Sequence, residues 1–257
     1  MSDASDREIH AEIAAEASPR PIRPWVILPY DTHRFPFGPL LMRDVFKVRR
    51  LDLLHEYLIA RRRSLGLTER LSAKDNLALR AMMQNLPEEA PFNRLYHRFV
   101  VTVLLPLVGR GLSYSSHPKM RVHLPGTGSV SSFHHDLPVT RRADQVNLWM
   151  PFTDVQDTAT LWCESEYGRG DYAAVPVRYG EVLIFDGGYL GHGSKANRSS
   201  TTRISLDTRF SFKGGGSRAN GVELLNVIIQ RLPVWTGDHP ARCAADPRTT
   251  LRNERGT

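Results

Sequence analysis

The segment SSFHHD ends on two imidazoles and a carboxylate, His134, His135 and Asp136. Side chains alternate along an extended chain, so His134 and Asp136 share one face and His135 takes the other. Two ligands at i and i+2 make half of a metal site. His192, in the run FDGGYLGHGS, is the candidate third ligand, and Gly187, Gly188, Gly191 and Gly193 permit tight turns around it. Two His and one carboxylate leave coordination positions open, the donor set of non-haem Fe(II) centres that take up a chelating cosubstrate and O2. Further on, Arg203 and Ser205 also stand at i and i+2. A guanidinium and a hydroxyl on one strand face can grip a carboxylate, as the distal end of an iron-chelating 2-oxoglutarate requires. Zinc-dependent hydrolysis at the same three ligands is the alternative chemistry, and it would leave Arg203 and Ser205 without a task.

These side chains need strands to present them. After Gly109 the sequence breaks into short alternating or β-branched segments at 120–124, 145–152, 159–165, 181–186 and 203–212, separated by Gly, Pro or Asp clusters. Many short strands at fairly regular spacing predict a sandwich or barrel. Asn147 and Trp149 alternate with Leu148 and Met150. Asn147 is a candidate to bond 2-oxoglutarate or a metal ligand, and Trp149 to line the pocket. Arg121 and His123 share a face of the strand entering the metal motif and could reach cosubstrate or substrate. Trp162, Glu164 and Tyr189 are candidates for the pocket mouth, where a substrate would meet aromatic and carboxylate groups. Cys163 reads as a small buried hydrophobe.

The N-terminal third reads differently. Residues 1–18 are polar and Ala-rich, a frayed helix or a flexible, disordered arm. Six of the 17 prolines fall between Pro19 and Pro39, predicting extended chain with one edge strand. Helical spacing is expected from about 43 to 64, with Leu51, Leu54 and Leu58 on one face and Gly66 as the stop. Ser72 and Asp75 form a capping-box pattern for a helix ending before Pro87. A third helix is expected from Phe92 to about Leu105. Arg61, Arg62 and Arg63 suit a helix C-terminus.

The chain has 257 residues, 41% apolar and 24% charged, with 34 Lys+Arg against 27 Asp+Glu and a net charge of +7. That apolar content excludes disorder as the main state. Two cysteines exclude a disulfide scaffold and predict a reducing, cytoplasmic setting. The apolar stretch from Phe99 to Val108 falls short of the ~20 residues that span a bilayer, and no secretory signal is expected. The basic helical third or the segment VELLNVIIQRLPVW offers a surface on which a homodimer could form.

The text FHHD … VNLWMPFTDV … TLWCESEYG … YGEVLIFDGGYLGHGSKANRSSTTRISLDTRF resembles the Fe(II)/2-oxoglutarate-dependent dioxygenases of the phytanoyl-CoA dioxygenase group. Within these it is similar to the streptomycin-biosynthesis type and to the orthosomycin and hygromycin oxygenases. The resemblance covers about residues 118–213. It implies an α+β fold with a double-stranded β-helix (jelly-roll, cupin-like) core flanked by N-terminal helices. The expected plan is one domain over 1–257, with a supporting segment at 19–117, the catalytic core at 118–213 and an extension at 214–257. The resemblance also implies Fe(II) on His134, Asp136 and His192. It implies 2-oxoglutarate on Arg203 and Ser205 and attack on a C–H bond of a glycosylated natural product or sugar intermediate. Two rivals stand beside it. One is a nucleic-acid dealkylating oxygenase, suggested by the spacing of Arg203 and Arg209 and by the positive charge, although Ser205 and Asp207 replace that family's Asn and Thr. The other is a non-catalytic cupin-like binding protein. No nucleic-acid partner is expected.

Overall fold

A computed structural model describes residues 12, 13 and 15–232. The first eleven residues of the expected arm, and the chain from 233 onward, lie outside the described residues. Strands β1 Trp25–Pro29, β2 Leu112–Tyr114, β3 Lys119–His123, β4 Val146–Pro151, β5 Leu161–Cys163, β6 Ala173–Val175, β7 Glu181–Phe185, β8 His192–Gly193 and β9 Arg203–Phe212 form two antiparallel sheets. The larger runs β1-β7-β4-β9-β2, with β3 also on β9; the smaller runs β6-β5-β8. The longer helices are α1 Leu54–Ser64, α2 Ala73–Gln84, α3 Pro91–Phe99 and α4 Arg218–Arg231. The fold is mixed α+β, as the sequence predicts.

β9 organises the larger sheet. It pairs with β4 along one side, and with β3 and then β2 along the other. Its alternation gives the sheet two unlike faces. Ile204, Leu206 and Phe210, with Leu148, Met150, Met120 and Val122, enter the core shared with the helices. Arg203, Ser205, Asp207 and Arg209 take the other face. Directly opposed residues of an antiparallel pair share a face. Arg121 and His123, opposite Ser205 and Arg203, therefore lie there too, as do Asn147 and Trp149, opposite Arg209 and Asp207.

The helices follow their sequence signals with two departures. At α2, the Ser72 N–H and hydroxyl both donate to Asp75 Oδ2, at 2.8 and 2.9 Å, which is the predicted cap. At α1, Gly66 stops the helix at φ +66 while the Leu67 N–H reaches back to Arg62 O at 2.9 Å. The single helix expected over 43–64 is broken. A π-helical turn at Leu41–Phe46 ends on left-handed Lys47, and α1 begins only at Leu54. The reason is geometric. Val45, Phe46, Leu51 and Leu54 are all buried, yet on one straight helix they would spread over about 240°, far more than one apolar stripe covers. The helix expected from Phe92 also changes form, passing from α3 into a π turn at Val100–Leu104 before Pro106, whose ring cannot continue the i→i−4 ladder.

β1 is the expected edge strand. β2, β6 and β8, of three, three and two residues, are too short to show a period in sequence. α4 buries Val222, Leu224, Leu225 and Ile228 in the core, so the apolar face considered for a homodimer is spent inside the fold. Ile13 and Ala17, in the stretch read as a flexible arm, are buried in a second apolar cluster with Trp149, Leu161 and Phe185. No described helix is long and apolar enough to cross a membrane.

Phe99 closes α3 with no exposed surface, its ring 5.4 Å from both Tyr30 and Phe35 and edge-on to each. Phe99→Ala should cost about 3–5 kcal/mol through lost burial and a residual cavity, read as a lower urea midpoint with an unchanged slope.

Candidate metal centre

His134 and His192 exchange both backbone hydrogen bonds, at 2.9 and 3.0 Å. They are therefore a directly opposed antiparallel pair with side chains on one face, and their rings lie 4.5 Å apart. Past that bridge the chain turns: Asp136 is in the αR region (φ −79, ψ −27), caps a short helical turn at Leu137–Thr140, and has its N–H held by Gly187 O at 2.9 Å. One ligand atom from each of His134, Asp136 and His192 lies within 4.8 Å of the others.

The outer contacts fix the protonation states. His134 Nδ1 lies 2.7 Å from Ser132 O, and His192 Nδ1 3.0 Å from Leu190 O. A carbonyl only accepts, so each Nδ1 carries a proton, and in the neutral ring each Nε2 offers a lone pair to the centre. Asp136 takes a bidentate grip from Arg209 (Nε–Oδ2 2.9 Å, Nη2–Oδ1 2.6 Å), and Asn147 Nδ2 donates to Oδ2 at 2.6 Å. Burial alone would raise the Asp136 carboxyl, but the hydrogen bonds with His134 and Arg209 outweigh it and hold it far below the usual range. Burial pushes His192 down to about 4, whereas the hydrogen bond to Asp136 raises His134. Two imidazoles and one ionised carboxylate, converging from one side and each oriented by a second partner, fit a divalent metal with open positions. Gly187, Gly191 and Gly193 serve close approach, not left-handed turns, while Gly188 has open space where a Cβ would stand. A Cβ on Gly187 would come within 2.5 Å of Asn147, and none of the four has a positive φ.

Beside the triad lies a buried cation that no carboxylate of the described residues pairs. Arg203 is 2% exposed and donates Nη1 to Ala159 O and Thr160 O at 3.2 and 3.1 Å. Its Nε and the Ser205 hydroxyl are buried without a hydrogen-bond partner among the described residues. Burial drives its pKa down, and Arg121, a charge of the same sign, pushes it further down. A guanidinium stays protonated in such surroundings, so the pocket is built for an anion. Arg203, Arg121, Trp149 and the three triad residues line one cavity of about 140 Å³.

The chain is 31% identical over 176 residues to the streptomycin biosynthesis protein StrG of Streptomyces griseus, spanning 66% of this chain and 82% of StrG. It belongs to the StrG family. No family model matches the sequence. Among solved structures it is similar to AviO1 from Streptomyces viridochromogenes Tue57 (17% identity, TM-score 0.48, 77% of this chain and 93% of that one). It is also similar to HygX from Streptomyces hygroscopicus with nickel and 2-oxoglutarate bound (13% identity, TM-score 0.43, 76% and 83%). At this level of likeness the roles of the residues rest on this chain's own geometry.

Other expected site residues are redistributed. Asn147 meets a ligand carboxylate, Asp136. His123 lies opposite Arg203 with no exposed surface, its Nε2 2.8 Å from Gly128 O, and burial and Arg203 push it down to about 4. Trp162 is not at the cavity. On β5, Leu161 and Cys163 point inward, so Trp162 points out, bonded to Asp157 O at 2.9 Å and covered by Lys195 Nζ 3.5 Å above its ring. Tyr189 is buried instead against Arg218, 3.8 Å over its ring, because Arg218 is drawn in by Asp186. Glu164 is buried behind the triad, facing His135 at 3.7 Å. Lys119, Leu161, Phe185, Asp207 and Arg209 also line the cavity. Asp207 and Arg209 continue the i, i+2 count from Arg203, the signal that would have found them.

Metal binding must displace any proton on the His134 Nε2, and that imidazole titrates above its usual value of 6.5. Co(II) affinity should therefore be full above that point and fall about tenfold per pH unit below it, as measured by Co(II) titration from pH 8 to 5.5.

Proposed function

We propose that the protein is a non-haem Fe(II) oxygenase that uses 2-oxoglutarate as cosubstrate and acts on a C–H bond of a sugar-containing secondary metabolite. The observation that carries this reading is the buried Arg203, paired by no carboxylate of the described residues, in the same cavity as the His134–Asp136–His192 triad. A zinc hydrolase would have no use for that cation. Fe(II) held by the triad would supply O2 activation coupled to oxidative decarboxylation of 2-oxoglutarate. Arg203 and Ser205 would take the distal carboxylate of the cosubstrate, with Arg121 adding a second positive charge. Trp149 and Phe185 exclude water from the same space.

The metabolite class draws on two supports. One is kinship with a streptomycin biosynthesis protein. The other is a groove lined by Ser115, His117, Thr140, Gln145 and Thr208, which shares Lys119, Asp207 and Arg209 with the metal cavity. Gln145 Oε1 is buried there without a partner, an acceptor for a substrate hydroxyl. Hydroxylation and oxidative ring closure are both open to such a site. We read the two sheets as the halves of a jelly roll and 118–213 as the catalytic core of a single domain. Cys163 is buried and free among the described residues, which suits a reducing cytoplasm. The dealkylase reading is weakened because Arg209 is committed to Asp136.

Succinate release from 2-oxoglutarate under O2 with Fe(II), with or without added metabolite, tests the reading. Asp136→Ala and His192→Ala should abolish it. Arg203→Ala should raise the 2-oxoglutarate KM about 10–100-fold, the loss of one charge-assisted carboxylate contact. Zn(II)-dependent hydrolysis without 2-oxoglutarate turnover, or an unaltered 2-oxoglutarate KM in Arg203→Ala, would refute it.

A further inference from the structure

Glu164 follows β5 and is 1% exposed. Its backbone N–H donates to Gly191 O at 2.9 Å, and its Oε2 accepts the Gly191 N–H at 2.8 Å. Gly191 is the residue before His192. The same oxygen lies 3.7 Å from His135 Nε2, and His135 stands between His134 and Asp136. Oε1 also accepts the Gly170 N–H at 2.7 Å, and Oε2 that of Gly168 at 3.3 Å. Both glycines are left-handed, at φ 67 and 71, which turns the loop back onto the carboxylate. That loop delivers Tyr172, whose ring lies 4.1 Å from Phe133, the neighbour of His134. One buried carboxylate thus holds both ligand-bearing segments and the loop behind them.

We infer that Glu164 is a positioning residue for the metal centre: from the side away from the metal it fixes the spacing between the His134–Asp136 segment and His192, and so sets metal affinity. The inference rests on reading the triad as a metal centre. It explains two features the triad alone does not. His135 faces away from the centre yet is buried with a carboxylate. A Cβ on Gly191 would meet Glu164 Oε2 at 2.7 Å, so any side chain there must push the carboxylate aside. The anchor must be a carboxylate, because a carboxylate only accepts. In Glu164→Gln, one accepting oxygen becomes an NH2 that opposes a glycine N–H while the shape is kept.

The test is an anaerobic Co(II) titration of the full chain, followed by the d–d absorption band, on wild type, Glu164→Gln, Gly191→Ala and His192→Ala. Thermal unfolding of the metal-free proteins is measured in parallel. Glu164→Gln should weaken Co(II) binding about 10–100-fold, the usual cost of losing an outer-shell partner, and alter the band, while the metal-free variant unfolds within a few degrees of wild type. Gly191→Ala presses on the same contact from the other side and should do the same. Wild-type affinity and an unchanged band in folded Glu164→Gln overturn the inference. If that variant does not fold, Gly191→Ala decides by the same two readings. Wild-type Co(II) affinity in His192→Ala would instead show that the triad is not the metal site, and would remove the proposed function along with this inference.

Discussion

The two sheets meet at the Asp136 carboxylate. Its backbone N–H is held by Gly187 O just past β7, His192 of β8 in the smaller sheet comes within 4.0 Å of the carboxylate, and its oxygens take a guanidinium from β9 and an amide from β4 of the larger one. Removing a carboxylate from water costs several kcal/mol unless donors replace the lost hydration. Arg209 and Asn147 provide those donors, and each is placed by strand parity alone. The geometry of a candidate metal ligand is therefore set by the register between β9 and β4. A slip of one residue would turn Arg209, Asp207, Ser205 and Arg203 into the apolar core and Leu206 and Ile204 into the cavity.

That register is protected from the other face. Ile204, Leu206, Leu148 and Met150 are buried against the helical layer, where Phe35, Phe37, Phe92 and Phe99 pack edge-on. The motif-free N-terminal third thus acts on the chemistry indirectly, by making slippage of β9 expensive. The smaller sheet is held differently. β8 has only two residues, and its place depends on its pairing with β5, on the His134–His192 pair and on the polar contacts of Glu164, with Tyr189 and Leu190 buried just before it.

Much of the site was legible because strand parity is a local rule. The inward face of Arg203 and Ser205 follows from alternation, whereas Asp136, expected beside His134 by the same rule, reaches the centre from a helical turn. The same rule applied to β5 would have sent Trp162 outward, since Leu161 and Cys163 are the more apolar pair. What alternation cannot supply is partner choice across the fold. Arg209 on Asp136, Arg218 on Asp186 and Glu164 on Gly191 join residues far apart in sequence, and nothing local marks them. Helix boundaries failed for a related reason. The residues around Leu51 carry helical spacing, but burying Val45, Phe46, Leu51 and Leu54 together requires a break that only the packed core demands.

Charge gives the sharpest contrast between the two levels. The surplus of +7 is a property of the surface, where salt screens it over about 8 Å. Arg203 is one charge among 34 Lys+Arg, but it is buried and faces no anion among the described residues. A ligand carboxylate that reaches it relieves a desolvation cost already paid in folding, whereas an uncharged analogue leaves the guanidinium buried and unpaired. Discrimination of that kind exceeds what one added apolar contact achieves. Under the proposed function, selection of a dicarboxylate cosubstrate therefore follows from where one arginine is buried, and β9 buries it there by the same alternation that sets Arg209 on Asp136.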